Sequence, residues 1–258
     1  MERVVVFVTD FGLADSYAAA LVAAVWRVDR DIRCVAGTHG VPPGDALAGA
    51  YHVKALAQAF GSGAVVCAVV DPEVGTARRA LAAIAVGVGF VGPDTGLLSY
   101  LWGEADGPAR QAVALPVPSE ASATFHGRDL FAPVAARLAG GAPLGALGER
   151  LDAPVLLPEA FAIEGEGGLV GRIAAVDHFG NAITTVRAAD LAGRALAGAD
   201  WEGGAAPRVV RTYAEIDDGL AVLLGSSGHV EIAARGGGVK GGAGALSPGT
   251  TVRVLAMR

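Results

Sequence analysis

The sequence offers almost no sulfur chemistry. Only Cys34 and Cys67 occur in 258 residues, each within an apolar strand-like run. Two thiols so placed argue against a disulfide framework or a cysteine metal site and read as buried and reduced. Long apolar runs are missing too. Mean hydropathy is +0.47, yet the densest runs, residues 17–26 and 80–92, fall short of the roughly 18 residues that cross a bilayer. The first residues run straight into Asp10 without a small-residue cleavage site, so no signal peptide is read and a cytoplasmic location is expected. Basic clusters are absent beyond Arg78-Arg79, and 20 Lys and Arg against 26 Asp and Glu give a net charge of −6. No nucleic-acid partner is expected from that balance, and no membrane partner from the short apolar runs. The five histidines, His39, His52, His126, His178 and His229, show no metal-ligand spacing, so no metal is expected.

What is present is a globular composition: 52% hydrophobic and 18% charged. At about 150 residues per domain, the length suits one large or two small domains with a core that needs no staples. In the first half, apolar runs at residues 3–8, 32–36, 64–70, 81–86 and 89–91 alternate with helical patterns at 15–26, 46–60 and 128–138. Such alternation predicts a parallel, doubly wound (Rossmann-like) α/β domain over residues 1–158. Proline and glycine then suggest a linker over 159–168. Short strand patterns at 169–176, 208–212, 220–224, 229–233 and 250–255, with one helical stretch near 188–196, predict a small antiparallel β-barrel over 169–258.

Several loops carry chemistry-bearing residues. Asp10 follows the first strand, where open α/β sheets bind ligands, and a carboxylate there can accept both hydrogen bonds of a ribose diol. It could equally cap the next helix. Asp71 follows the apolar run 64–70, and Arg78 and Arg79 follow it by seven and eight residues. A carboxylate at such a strand end is costly to ionise unless a cation sits close, and either arginine could serve. His126 precedes a helical pattern and neighbours Gly127, which lets a ligand approach the backbone. Asp177, Phe179 and Asn181 fall within six residues and could hold an ammonium, stack on a base and read its edge, or simply form a turn. Gly225-Ser226-Ser227-Gly228 suits a carboxylate or a hairpin.

Two patterns mislead. Residues 87–92 match GxGxxG but lead into Pro93-Asp94 rather than a helix, so they do not read as a dinucleotide fingerprint. The glycine-rich stretch around Lys240 lacks the Ser or Thr and the spacer of a phosphate loop.

Together these segments resemble the SAM hydroxide adenosyltransferases (S-adenosyl-L-methionine hydrolases), relatives of the fluorinases and chlorinases. The resemblance is carried by Thr9-Asp10-Phe11-Gly12 with Asp15 and Tyr17, Thr38-His39-Gly40-Val41, Asp71-Pro72 through Gly75-Thr76 and Arg78, and Pro93-Asp94-Thr95-Gly96. It continues in Thr124-Phe125-His126-Gly127-Arg128-Asp129, Asp177-His178-Phe179-Gly180-Asn181, and Gly225-Ser226-Ser227-Gly228 with Glu231-Ile232-Ala233. The resemblance implies an N-terminal α/β domain, a C-terminal β-barrel, and a homotrimer whose sites lie between subunits. It implies hydrolysis of S-adenosyl-L-methionine to adenosine and methionine without a cofactor. Asp71, Arg78 and His126 would be the catalytic set. Asp10 would take the ribose hydroxyls, Asp15 and Asp177 the amino group, Ser226 the carboxylate, and Phe179 and Asn181 the adenine; Glu231 joins the substrate-binding set. Halide-using relatives differ at the positions of Asp71 and Gly127, which disfavours a halide-dependent transferase here. A non-enzymatic SAM or adenosine binder is the other alternative. Thr95 and Thr185 stand where the family commonly has Asn.

Overall fold

The structure, a computed structural model, describes residues 3–235 and 246–257. The glycine-rich stretch 236–244, including Lys240, lies outside the described residues. The chain divides into two compact units, Met1–Leu157 and Pro158–Arg258.

The first unit is built on β1 (Val4–Thr9), β2 (Arg33–Thr38), β3 (Ala64–Val69), β4 (Ala80–Ala85), β5 (Val88–Pro93), β6 (Arg110–Ala114) and β7 (Glu149–Arg150). Their order in the sheet is β2-β1-β3-β5-β4-β6-β7. Every residue of β1 and β3 is buried, as their unbroken apolar sequences require of strands covered on both faces. Helices α1 (Tyr17–Val28), α2 (Ala46–Phe60), α3 (Ser99–Glu104) and α4 (Ala132–Ala139) supply the cover. Val5 and Phe7 pack with Leu21 and Val25 of α1 and Phe131 before α4, while Val4 and Val6 pack with Leu56 of α2. Alternate residues of one strand thus feed two helical layers, the doubly wound arrangement.

The sheet is mixed rather than wholly parallel. β1, β2, β3 and β5 run parallel, but β4 pairs antiparallel with both β5 and β6, and β6 with β7. The cause is a two-residue hairpin at Val86 and Gly87, both at positive φ (46° and 78°). Such turns favour Asn-Gly or Asp-Gly, and a valine there conceals the hairpin in the sequence. The GxGxxG pattern is this turn plus β5.

The described strands of the second unit are β8 (Ile163–Gly165), β9 (Gly168–Val176), β10 (Ala182–Arg187), β11 (Ala195–Trp201), β12 (Gly204–Ala206), β13 (Arg208–Val209), β14 (Leu220–Leu224), β15 (His229–Ala234) and β16 (Thr251–Met257). Their order is β12-β11-β16-β9-β10-β15-β14-β13, with β8 pairing β9. β11 and β12 at one end lie against β13 and β14 at the other, curling the sheet into a near-barrel around Ile173, Val222, Ile232 and Val254. Pairing is antiparallel except between β13 and β14.

Two expectations need correction here. Residues 159–168 are not a bare linker: they hold a 3-10 turn (Pro158–Ala160) and β8. The helix expected over 188–196 shrinks to a 3-10 turn (Ala188–Leu191), because Ala192 and Gly193 take positive φ and the following residues enter β11. Alanine favours helix, but pairing with β16 overrides that preference.

Candidate active site

Strand order makes the first site. The chain moves from β1 outward to β2 and then back to β3 on the other side of β1. The connections therefore diverge above the carboxyl ends of β1 and β3, which is where open α/β sheets bind ligands. Thr9 and Val69 pair across these strands, so Asp10 and Asp71 leave the sheet side by side. Both line a cavity of about 330 Å³, with Phe11, Tyr17, Val74, Phe125, His126 and Gly127 among its walls.

Arg78, not Arg79, is the partner of Asp71. Its Nε donates to Asp71 Oδ1 at 2.9 Å and its Nη2 to Asp71 Oδ2. Nη2 also lies 2.8 Å from His126 Nδ1. The two charged side chains are 4% and 5% exposed, so this is a buried fork that couples all three residues. Arg79 instead binds Asp94, whose second oxygen accepts the Val155 amide. The turn between Asp71 and Arg78 selects the arginine. Gly75, at φ +79°, sits so close to the 122–126 loop that a Cβ there would lie 2.5 Å from the Ala123 carbonyl oxygen. Only glycine lets these loops meet, and their meeting brings Arg78 to His126.

His126 is held from the other side. Asp129 accepts the Ser122 amide and two donors of Arg128, closing the loop that carries Phe125 and His126. A π-turn (Gly127–Phe131) follows before α4, a local widening common at functional sites. A guanidinium can only donate, so His126 Nδ1 must be the acceptor. Its proton then resides on Nε2 and the ring is neutral. Burial first, and the Arg78 charge second, push its pKa below the usual value, against the opposing pull of Asp71 and Asp129. Arg78 Nη1 is buried without a hydrogen-bond partner.

Asp10 joins this group, its Oδ2 accepting the Gly44 amide at 2.9 Å. Asp15 does not: it is exposed and outside the residues lining the cavity. Three aromatic walls that sequence reasoning did not single out for a role, Phe11, Tyr17 and Phe125, pack edge to face with ring centroids 5.3–6.0 Å apart. Their signal was adjacency to Asp10 and His126.

The second unit carries its own cluster. Asp177 Oδ1 accepts the Asn181 amide and Oδ2 its Nδ2, at 2.8 and 2.9 Å. Asn181 is buried, whereas Phe179 is 75% exposed. Ser226 is exposed in the turn before β15. Glu231 is buried and accepts the Tyr213 hydroxyl at 2.6 Å. Burial and nearby Asp177 raise its pKa, with Tyr213 opposing. A Cβ at Gly225 would collide with the Glu231 carboxylate, so Glu231 braces the Gly225-Ser226 turn as placed.

A doubly wound unit with a buried Asp-Arg-His fork, followed by a curled β-unit, defines a two-domain protein with an enzyme-like cleft. The chain belongs to the SAM hydroxide adenosyltransferase family: the family's N-terminal domain matches residues 5–148 and its C-terminal domain residues 171–252. It is 42% identical to an (R)-S-adenosyl-L-methionine hydrolase of Salinispora tropica, over 97% of each chain. It is 39% identical to one of Thermus thermophilus, over 98% of this chain and all of that one. A solved structure of an uncharacterized conserved protein from Thermotoga maritima superposes with a TM-score of 0.84 at 28% identity, covering 97% of this chain and 99% of that one.

Proposed function

We propose that this chain hydrolyses S-adenosyl-L-methionine to adenosine and L-methionine. The observation that carries the reading is the buried fork by which Arg78 holds Asp71 and His126 together beside Asp10. Water attacks C5′ in line with the C5′–S bond. As the C–O bond forms, the C–S electron pair passes to sulfur, which leaves as a neutral thioether and needs no acid. Nor does the reaction need a cofactor. The water must lose one proton. Asp71 is the base: each carboxylate oxygen keeps a lone pair after accepting from Arg78. His126 has Nδ1 occupied by Arg78 and a proton on Nε2, so it orients the water oxygen as a donor and is not the base. Arg78 keeps Asp71 ionised, and its free Nη1–H is available to developing hydroxide. Positioned base catalysis contributes on the order of 10²–10⁴-fold, and alignment in a dry pocket the larger share.

Asp10 takes the ribose diol. Asp15 and Asp177 take the amino group, Ser226 the carboxylate, and Phe179 and Asn181 the adenine. Glu231 supports the turn that carries Ser226. The assembly is a homotrimer in which a neighbouring copy completes each site; highly exposed Leu13 and Phe179, at 82% and 75%, fit burial against such a copy. Among the described residues no helix is long and apolar enough to cross a membrane, and the free thiols Cys34 and Cys67 suit a cytoplasmic location.

Halide dependence has less support. Gly127 has no room to spare: a Cβ there would sit 3.2 Å from Leu21 and 3.4 Å from Phe11 and Phe125. The test is incubation with SAM in ¹⁸O-water without halide, followed by mass spectrometry. Adenosine carrying one ¹⁸O, with equal methionine, is expected. Unchanged SAM would leave a binding protein, and product only with chloride would overturn the water reading.

A further inference from the structure

We propose that His39, acting through Thr9, is the positioning residue for Asp10, and that this pair sets the affinity for the substrate's ribose diol. The inference rests on the reading of Asp10 as the diol acceptor.

The sheet slips in register next to Asp10. β1 and β2 pair in step from Val4 with Arg33 to Phe7 with Ala36, but Val8 then pairs with Thr38. One extra residue, Gly37, is absorbed at the carboxyl end of β2, as in a bulge. A Cβ on Gly37 would lie 2.5 Å from the Leu56 side chain and 2.9 Å from the Phe7 carbonyl oxygen, so the slip requires glycine. The slip advances His39 to the end of β1. Its ring stacks on Phe7, with centroids 6.5 Å apart, and its Nδ1 lies 2.8 Å from Thr9 Oγ1.

Thr9 is fully buried, and its Oγ1 already accepts the Phe11 amide at 3.2 Å. A buried hydroxyl proton needs an acceptor. His39 Nδ1 is the acceptor within reach, so Thr9 donates and His39 is the neutral Nε2–H tautomer. Burial, which lowers the His39 pKa, agrees with that state. Further bonds bind the same two segments: Val41 N to Thr9 O at 3.2 Å, Gly12 N to His39 O at 2.7 Å, and Gly44 N to Asp10 Oδ2 at 2.9 Å. Asp10 is thus tied on both sides of its backbone and at one carboxylate oxygen. Two neighbouring hydroxyls demand a carboxylate held in one plane, and this clamp holds it. His39 does not touch the reacting atoms.

The experiment compares wild type, Thr9→Val, Thr9→Ser and His39→Leu in binding adenosine and 2′,3′-dideoxyadenosine, and in SAM turnover. Thr9→Val keeps the shape and removes both the donor to His39 and the acceptor of the Phe11 amide, and should weaken adenosine binding and raise the KM for SAM by about five- to thirtyfold. Turnover at saturation should stay within about twofold, since the Asp71 fork is untouched. Binding of the dideoxy analogue should hardly change, so discrimination for the diol collapses; Thr9→Ser should restore it. His39→Leu is read the same way, so the test does not hang on one variant's folding. Undiminished diol discrimination in both Thr9→Val and His39→Leu would overturn the positioning role alone. A wild type indifferent to the diol would overturn the ribose reading of Asp10, and this proposal with it.

Discussion

Replacing Arg78 with Met tests the centre of the site. Methionine keeps much of the apolar stem, which packs where the guanidinium now lies 5.3 Å from the Phe131 ring. What is lost is the fork: two bonds to Asp71 and one to His126 Nδ1. Asp71, only 5% exposed, is left as a buried carboxylate without its cation. Breaking a buried pair in this way costs about 3–5 kcal/mol. That is a large part of the roughly 5–15 kcal/mol that holds a typical domain folded. At about 2–4 °C per kcal/mol for units of this size, Tm should fall by about 6–20 °C. Urea unfolding followed by tryptophan fluorescence reads the loss as a lower midpoint. The decisive comparison is the double variant Asp71→Asn with Arg78→Met. Removing the orphaned charge should recover about 1–3 kcal/mol relative to Arg78→Met alone, while hydrolysis stays depressed by about 10²–10⁴-fold in both. A double variant no more stable than the single one would mean that the cost does not lie in an unpaired buried charge.

Asp71→Ala should lower kcat by about 100-fold or more while moving SAM affinity by less than about fivefold; equal losses in both would remove Asp71 from the chemistry. For His126 the folded pKa lies below the unfolded value of about 6.5, through burial and then Arg78. Its contribution to stability is therefore complete above that value and lost as pH falls through the folded pKa. His126→Gln should flatten part of the fall in Tm below about pH 6.5, and an unchanged slope would count against it. Glu231 has the opposite sign, its folded pKa being raised chiefly by burial. Stability is then lost as pH rises through that value, and Glu231→Gln, which can still accept from Tyr213, should raise Tm at pH 8 more than at pH 5.

Much of the site was legible because strand ends announce themselves. Asp71 ends an unbroken apolar run and Asp10 follows one after a single threonine, and β1 and β3 are buried as such runs require. Spacing alone left Arg78 and Arg79 open, since one residue's difference in a loop carries no direction, and only the family resemblance pointed to Arg78. Its physical cause is Gly75 packing on Ala123. The tautomer of His126 and the bracing role of Glu231 were likewise invisible, because both depend on which atoms meet across distant segments. The hairpin at Val86 escaped notice because its positive φ falls on a residue that rarely takes it.

The order of residues alone dictates the alternation of buried strands and amphipathic helices, the strand-end acids, and the glycines without which the loops could not meet. These follow from local periodicity and backbone sterics, which act over a few residues. The antiparallel half of the sheet, the bonding pattern within the Asp71, Arg78 and His126 fork, and the register slip that seats His39 against Thr9 come from the tertiary structure. Those depend on loop closures and on pairing a buried charge with its cation, energies that exist only once distant segments share one water-poor space.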